Sequence, residues 1–321
     1  MQLDKIRLKK IKGDASHRSF YRKEFKKKKS IIVYANKEKE KNLLIYDAIN
    51  NLLIKNNILA PKLYSENYKR DFIEIEDFGD DTLFHILKKK KLNKENLFKK
   101  TIKLLIKIQK IKKDKIKNFN GKYYKIPIYS NQMLFDEVKL FCNWYVPNTL
   151  SKNKRINFNI KIKKQIKFLL SKIKLNNNIF VHRDFHVSNL MKYKNKIAII
   201  DSQDAVIGNI AYDLASLIDD VRFKTTLKFK DKIYKYYLRL SRNSFIKKDF
   251  HNDFEILSVL RNLKIIGIFT RLAIRDKKRE YLKLIPYAWK LIELRTDNNK
   301  IFNELKKLLN INFSNKVRLI K

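Results

Sequence analysis

Three polar residues near the middle of the 321-residue chain have the types and the spacing that phosphoryl transfer requires. Asp184 is followed by Asn189, and Asp201 comes after two short apolar runs. One carboxylate can receive the proton of an acceptor hydroxyl, while an amide oxygen and a second carboxylate can hold Mg²⁺ against nucleotide phosphates. The alternative is that all three are turn formers beside strands, because Asp and Asn favour turns. Their joint spacing favours the catalytic interpretation.

The segments between these residues predict how the two metal ligands could meet. Leu190–Tyr193 and Ile197–Ile200 are typical of short strands, and Lys194–Lys196 is typical of the turn between them. A hairpin of this kind would bring Asn189 close to Asp201. The same spacing occurs in the catalytic loop of protein kinases, where the metal-binding aspartate also follows a short hairpin.

The rest of the chain predicts strands first and helices later. Ile31–Tyr34 and Phe72–Ile75 predict strands, and Leu43–Leu53 carries apolar residues at helical spacing between them. Helical patterns run from Thr82 to about Leu175 and resume after Ala211.

This order predicts an α+β, two-lobed, protein-kinase-like fold. We expect a small β-rich N-lobe over residues 1–80, which binds the nucleotide with a sheet and one helix. A large helical C-lobe over residues 81–321 would carry the catalytic loop and the acceptor site.

The formal net charge of +43 has two interpretations. Strongly basic proteins often bind nucleic acid or anionic surfaces. Here the charge is nearly all lysine, spread from end to end, and Asn and Ile are also abundant, which is the signature of A/T-rich coding. Nucleic-acid readers usually rely on arginine for bidentate contacts. We therefore expect no specific nucleic-acid partner.

The segment His182–Asn189 resembles the catalytic loop of the aminoglycoside phosphotransferase and choline kinase superfamily. Within it, the chain is most similar to the bacterial anomeric N-acetylmuramate/N-acetylglucosamine kinases. The segments that carry this closer resemblance are Gly13–Ser16 with Arg18, Glu76–Asp80, Leu134–Glu137, Asp201–Ala205, Tyr212–Leu217 and Arg261–Leu282.

The resemblance implies an ATP- and Mg²⁺-dependent kinase that phosphorylates the anomeric hydroxyl of an amino sugar from recycled cell wall. Asp184 would be the catalytic base, and Asn189 and Asp201 would be the Mg²⁺ ligands. Arg183 would neutralise charge beside the base or brace the loop. The product would be a sugar 1-phosphate, which implies a metabolic link to a sugar-1-phosphate uridylyltransferase.

The resemblance also implies nucleotide contacts and a structural brace. Backbone N–H groups would cover the phosphates from Gly13, Asp14, Ala15 and Ser16. The backbone of a hinge would meet adenine at Glu76, Asp77 and Phe78. Asp213 would be a buried brace for the catalytic loop.

Other polar residues have open roles. Asp204 and Glu137 would bind sugar hydroxyls or be ordinary surface carboxylates. His186 would touch the substrate or position the loop. A third set shares a helix face and would receive a carboxylate or phosphate, or simply flank the core: Arg261, Lys264, Arg271 and Arg275.

Two departures from the family pattern are visible. Ser202 stands where the family usually has an aromatic residue, which could loosen the packing of that segment. The predicted strand Ile31–Tyr34 lacks the lysine that many kinases pair with a helix glutamate on the phosphates. Residues 37–40 offer both residue types, and the pair stays unassigned.

Alternatives to the sugar kinase remain open at this point. One is another small-acceptor kinase of the choline/ethanolamine, homoserine or aminoglycoside type, and another is an inactive kinase-fold binding protein. No signal peptide or run of about 20 apolar residues is visible. The single cysteine, Cys142, fits a reducing compartment. We therefore expect a cytoplasmic protein without a membrane partner.

Overall fold

The computed structural model describes residues 7–11, 18–26, 28–35, 42–89, 93–241, 245–297 and 299–318. The predicted phosphate-covering residues Gly13, Asp14, Ala15 and Ser16 lie outside these ranges, as do residues 37–40. The strands are β1 (Arg7–Ile11), β2 (Ser19–Phe25), β3 (Lys28–Tyr34), β4 (Leu63–Asn67), β5 (Phe72–Glu76), β6 (Lys115–Lys117), β7 (Tyr123–Lys125), β8 (Asn177–Val181), β9 (Leu190–Tyr193), β10 (Lys196–Ile199) and β11 (Val206–Asn209).

The helices follow the order that the sequence predicts, one among the early strands and the others later. They are α1 (Asn42–Lys55), α2 (Leu83–Lys89), α3 (Lys94–Gln109), α4 (Asn131–Leu140), α5 (Lys152–Ser171), α6 (Tyr212–Ile218), α7 (Leu227–Leu240), α8 (Lys247–Ile274), α9 (Ile285–Thr296), α10 (Asn303–Asn312) and α11 (Asn315–Arg318). This arrangement confirms the predicted α+β class.

The described residues pack into two compact units. The first comprises the described residues within Met1–Pro127 and Asp184–Val206, and the second those within Ile128–Arg183 and Ile207–Lys321. This grouping follows packing alone, so the predicted lobe boundary between residues 80 and 81 stays a prediction.

An antiparallel sheet of five strands, in the order β1-β2-β3-β5-β4, dominates the first unit. Side chains alternate between its faces, so that Ile73 and Ile75 of β5 and Val33 of β3 are buried on the same side. They pack with Leu43 and Tyr46 of α1. The buried face of the sheet and one face of α1 thus form the core of this unit.

A short hairpin in the first unit departs from the predicted helical stretch. β6 and β7 pair antiparallel with Lys117 opposite Tyr123, within residues that the sequence pattern assigned to helix. The turn is closed by Asn118, whose side chain accepts the N–H groups of Asn120 and Lys122, and by Gly121 at φ +74°. Glycine adopts this left-handed conformation without strain.

The second unit is built around α8, which is buried around most of its circumference. α8 approaches the end of α4 so closely that a Cβ added at Gly267 would lie 2.3 Å from the carbonyl carbon of Leu140 and 2.4 Å from the nitrogen of Phe141. A π-helical turn, Phe141–Tyr145, continues α4 beyond this contact. Only glycine allows the two backbones to pack at this distance.

Cys142 lies in this π-helical turn and is 3% exposed. Burial raises the pKa of its thiol to about 11, although Lys163 lowers it slightly. The side chain therefore behaves as a small apolar group.

No helix of the described ranges combines the length and the apolar character that crossing a bilayer requires.

Candidate active site

The β9–β10 hairpin of the first unit brings Asn189 next to the residue that precedes Asp201. Leu190 pairs with Ile199, and the N–H of Ile200 donates to the carbonyl oxygen of Asn189 at 3.1 Å. Lys194 and Asn195 form the turn with φ of 44° and 61°, which suits a tight two-residue turn. The hairpin expected from the sequence therefore exists, but its turn is one residue shorter than predicted, because Lys196 of β10 already pairs with Tyr193.

The side chain of Asn189 is oriented by the residue at which the loop begins. Its Nδ2 donates to the carbonyl oxygen of Asp184 at 3.1 Å. The backbone N–H of Asn189 donates to the carbonyl oxygen of His186, and the backbone N–H of His186 donates to the carbonyl oxygen of Asp184. Both distances are 3.0 Å. This compact turn holds the side-chain amide of Asn189 through its Nδ2. The Oδ1 oxygen is then the atom of the amide that can serve as a metal ligand.

Asp201 is enclosed by protein but open on one side, with 42% of its side chain exposed. Gln203 Nε2 donates to its Oδ1 at 2.9 Å, and Arg18 Nη1 lies 3.9 Å from the same oxygen. Its backbone is left-handed, at φ +64°, which Asp tolerates better than most residues. The enclosed setting and the open side together suit a cation ligand.

The pKa of Asp201 is raised to about 6, first by desolvation among the surrounding protein atoms and then by the charge of Asp184. Gln203 and Arg18 oppose this effect, and Asp204 adds to it. Asp184 and Asp201 are thus close enough to repel each other. A cation bound between them would relieve this repulsion, so the residues present fit Mg²⁺.

The candidate cation site offers few protein ligands. In the ranges that the structure describes, no group of three or more His, Cys, Asp or Glu side chains is arranged around a common metal position. The candidate ligand set is one carboxylate and one amide, as in sites where phosphate and water oxygens complete the Mg²⁺ shell.

Ser202, the departure from the family pattern, is fully buried. Its hydroxyl donates to Oδ1 of Asn50 on α1 at 2.5 Å, and Asn50 Nδ2 donates to the carbonyl oxygen of Pro61. The serine therefore ties the segment after Asp201 to α1 instead of loosening it.

Arg18 is a functional candidate that the sequence reasoning named only as part of a motif. Its side chain is 5% exposed, and it is the cation beside Asp201. An arginine beside the phosphate-loop motif, in a chain whose positive charge is mostly lysine, was the available signal. Its role depends on Asp201, which follows it by more than 180 positions in the printed sequence.

The predicted hinge residues of the first unit have clear structural contacts. The carboxylate of Asp77 accepts from Arg22 Nε at 2.6 Å and from the N–H of Gly79 at 2.7 Å. Phe78 is buried against Tyr193, with ring centroids 4.8 Å apart. The N–H of Glu76 donates to the carbonyl oxygen of Lys62. These side chains shape the segment, and a contact with adenine stays a prediction.

Two further predicted residues of the first unit differ in exposure. His186 is 4% exposed, which fits a positioning role in the loop. Asp204 is exposed, and its carboxylate accepts from Gln203 Nε2 at 2.9 Å. Both keep their predicted substrate-binding roles only as predictions.

In the second unit, Asp213 holds an unusual backbone at Arg183. One carboxylate oxygen accepts the N–H of His182 at 2.7 Å and the other accepts the N–H of Arg183 at 3.0 Å. Arg183 has φ +72°, a conformation that costs free energy for a residue with a Cβ. Asp213 is fully buried and compensates for this cost at the position directly before Asp184 in the chain.

Glu137 of the second unit collects three donors. Its carboxylate accepts from Arg183 Nη2 and from the hydroxyl of Tyr129, and Lys264 Nζ lies 2.7 Å from it. Burial raises the pKa of Glu137, but Lys264 and Arg183 outweigh burial and hold the pKa below its ordinary value. Glu137 is therefore a charged anchor for Arg183, and sugar binding by it stays a prediction.

Comparison with known proteins identifies the family of the chain. The profile of the Phosphotransferase enzyme family (APH) matches residues 7–245. The chain is 27% identical over 279 residues to an N-acetylmuramate/N-acetylglucosamine kinase of Pseudomonas putida, which covers 85% of this chain and 79% of the relative. A relative of the same name from Neisseria meningitidis is 25% identical and covers 85% and 81%.

Solved structures agree at the level of the fold. An ethanolamine kinase of Plasmodium vivax superimposes with a TM-score of 0.61 at 14% identity, over 90% of this chain and 82% of that one. A choline kinase of Cryptosporidium parvum gives a TM-score of 0.60 at 14% identity, over 96% and 92%.

These matches confirm the predicted two-lobed, kinase-like fold class and the predicted resemblance. The profile match extends over more than half of the chain and includes the segment from Asp184 to Asp201. The chain therefore belongs to the Phosphotransferase enzyme family and is a kinase.

Proposed function

We propose that this kinase transfers the γ-phosphoryl group of ATP to the anomeric hydroxyl of N-acetylmuramate or N-acetylglucosamine. The observation that carries the proposal is the convergence of Asn189 and Asp201 across the β9–β10 hairpin, beside Asp184. The names of the relatives from Pseudomonas putida and Neisseria meningitidis support the choice of acceptor.

Asp184 would orient the acceptor hydroxyl and receive its proton as the new O–P bond forms and the bond between the γ-phosphorus and the bridging oxygen of ADP breaks, which releases ADP. A carboxylate can do this because it accepts hydrogen bonds from a hydroxyl and is ionised at neutral pH. The turn that it shares with His186 and Asn189 fixes the backbone of Asp184, because both residues donate hydrogen bonds to its carbonyl oxygen.

Asn189 and Asp201 would hold Mg²⁺, which neutralises phosphate charge when it is bound. Gln203 orients the carboxylate of Asp201 through its amide, and Arg18 contributes a fixed positive charge beside it. The buried hydrogen bond from Ser202 to Asn50 keeps the backbone of this ligand in position. Outer contacts of this kind commonly tune metal affinity.

The remaining predicted roles belong to the same proposal. Residues 13–16 would cover the phosphates, and the backbone of Glu76–Phe78 would meet adenine. The enzyme would work in the cytoplasm, and its sugar 1-phosphate product would be consumed by a uridylyltransferase.

A panel of acceptors with Mg-ATP tests the proposed reaction. The panel contains N-acetylmuramate, N-acetylglucosamine, choline, ethanolamine, homoserine and an aminoglycoside, and ³¹P NMR identifies the phosphorylated oxygen. We expect turnover of the amino sugars with phosphate on the anomeric oxygen. Turnover of choline alone would replace the acceptor and leave the kinase assignment intact.

The variant Asp184→Asn tests the base. We expect turnover to fall by about 10²- to 10⁴-fold, because an amide cannot receive the proton, while nucleotide binding measured by calorimetry persists. Asp136→Asn, an exposed position on α4, is the matched control and should keep full activity. Undiminished turnover by Asp184→Asn would contradict the mechanism.

A further inference from the structure

α8 carries four cations on one side of the second unit. Arg261, Lys264 and Arg271 lie within the helix and Arg275 lies at its C-terminal cap. At 100° per residue, these positions fall within an arc of about 80° on the helix surface. The sequence left their role open between anion binding and flanking the core.

Arg261 differs from an ordinary flanking residue. It is 5% exposed, and its Nη1 has no hydrogen-bond partner within the described ranges. Leaving a buried, charged donor unpaired costs free energy, so such a group in a native structure is satisfied by a bound water, an ion or a ligand. A guanidinium presents its donors as a planar fork, which matches a carboxylate.

Lys264, one turn further along, shows the direction in which this face points. Its Nζ lies 2.7 Å from the carboxylate of Glu137, which also binds Arg183. Arg183 directly precedes Asp184 in the chain. The face that carries Arg261 is therefore the face turned toward the end of the catalytic loop that belongs to the second unit.

The charge balance of this region favours an anion. Glu137 is paired with two cations, Arg183 and Lys264, whereas Arg261 forms no ion pair with a carboxylate among the described residues. Arg271 adds further positive charge, and its pKa is lowered by burial and by its neighbour Arg275. Arg275 itself is paired with Asp276.

We propose that Arg261, beside Lys264 on α8, forms an acceptor subsite for a carboxylate. This inference rests on the proposed function and makes it more specific, because N-acetylmuramate carries a lactyl carboxylate that N-acetylglucosamine lacks. The subsite would make this chain prefer the acidic acceptor.

Three acceptors separate charge from shape: N-acetylmuramate, its methyl ester and N-acetylglucosamine. For the parent chain we expect kcat/KM to be higher for N-acetylmuramate than for the ester by about 10- to 100-fold, the value of a charge-assisted hydrogen bond. In Arg261→Gln this ratio should fall to near one, while kcat/KM for the two neutral acceptors stays within about threefold.

Arg239→Gln is the matched control, because it removes one positive charge from an exposed position on α7. We expect it to keep the ratio of the parent. Arg261→Lys serves as a second variant if Arg261→Gln fails to fold, and it should lose part of the preference because lysine lacks the fork.

Calorimetric binding of N-acetylmuramate and its ester without ATP separates this inference from the proposed function. Preferential binding of the acid without turnover would refute the reaction and keep the subsite. Equal handling of acid and ester by the parent chain, or an equal loss on all acceptors in Arg261→Gln, would overturn the subsite.

Discussion

Single residues around Asp201 shape the proposed cation site of the first unit. The carboxylate is open on one side, repelled by Asp184 and oriented by Gln203. Ser202 anchors the adjacent backbone by a hydrogen bond to a residue 152 positions earlier. The site is therefore sensitive to substitutions that do not touch a metal ligand.

Replacing Ser202 by alanine tests this anchor. Ser202→Ala leaves Oδ1 of Asn50 buried without its donor, and we expect the free energy of unfolding to fall by about 1–3 kcal/mol. Urea denaturation measures the change. The control is Ser151→Ala, because the exposed Ser151 makes no capping hydrogen bond with its side chain. Equal stability of both variants would show that the Ser202 contact contributes nothing.

Asp47 on α1 makes stability depend on pH. It is 2% exposed, and burial raises its pKa to about 6, while Asn51 and the charge of Lys55 lower it. Between pH 4 and 6 the folded state binds more protons at this group than the unfolded state does. The contribution of protonated Asp47 to the free energy of unfolding is thus fully present near pH 4 and is lost as pH rises through 6.

We expect Asp47→Asn to remove this loss. At pH 7.5 the variant should be more stable than the parent, on the order of 2 kcal/mol, and the difference should shrink toward pH 4.5. Urea denaturation across this range measures it. Asp71→Asn, at an exposed position, is the control for the removal of one carboxylate. A constant difference for Asp47→Asn would contradict the raised pKa.

At the scale of elements, the contact between α8 and the end of α4 limits the second unit most severely. Gly267→Ala would place a Cβ 2.3 Å from a backbone atom of Leu140. Because the atom in contact belongs to the backbone, no side chain can move aside to relieve the clash. We expect a loss of about 3 kcal/mol or more in the free energy of unfolding. Denaturation in urea measures it, with Lys290→Ala at an exposed position of α9 for comparison. A midpoint equal to that of the parent would mean that the helices separate at no cost.

The sequence predicts those elements whose pattern is local. The β9–β10 hairpin is recognisable because two apolar runs flank a short polar turn, and α1 because its apolar residues recur at helical spacing. β6 and β7 escaped recognition, since each has three residues in a lysine-rich stretch and offers too little alternation. β11 was missed because half of Val206–Asn209 is glycine and asparagine, which are unfavourable in strands.

The residues of the candidate site also differ in whether a local sequence pattern reveals them. Asp184, Asn189 and Asp201 lie within one short segment, so their types and spacing are visible in the sequence. The contacts of Arg18 with Asp201 and of Lys264 with Glu137 join distant segments, so only the folded chain brings them together. Arg183 adds a backbone conformation that no residue pattern reveals.

For the whole molecule, the net charge of +43 predicts general rather than specific attraction to polyanions. Most of these charges are exposed lysines, whose effect on binding is screened by salt. The helical second unit and the five-stranded sheet of the first supply no recognised nucleic-acid motif in the ranges described.

Fluorescence anisotropy with two DNA duplexes of unrelated sequence tests this prediction. We expect binding at about 0.02 M salt and a loss of at least tenfold in affinity at about 0.15 M, with both duplexes affected alike. An anionic polymer such as heparin should compete equally well. Retention of one duplex in preference to the other at the higher salt would indicate a selected nucleic-acid partner.

The buried thiol in the π-helical turn has a practical consequence for spectroscopy. With a pKa of about 11, roughly one Cys142 in ten thousand is ionised at neutral pH, and its burial also keeps maleimides away. A second cysteine introduced at an exposed position would therefore take a fluorophore or spin label selectively. The native residue can stay in place, so a labelled enzyme needs only one substitution.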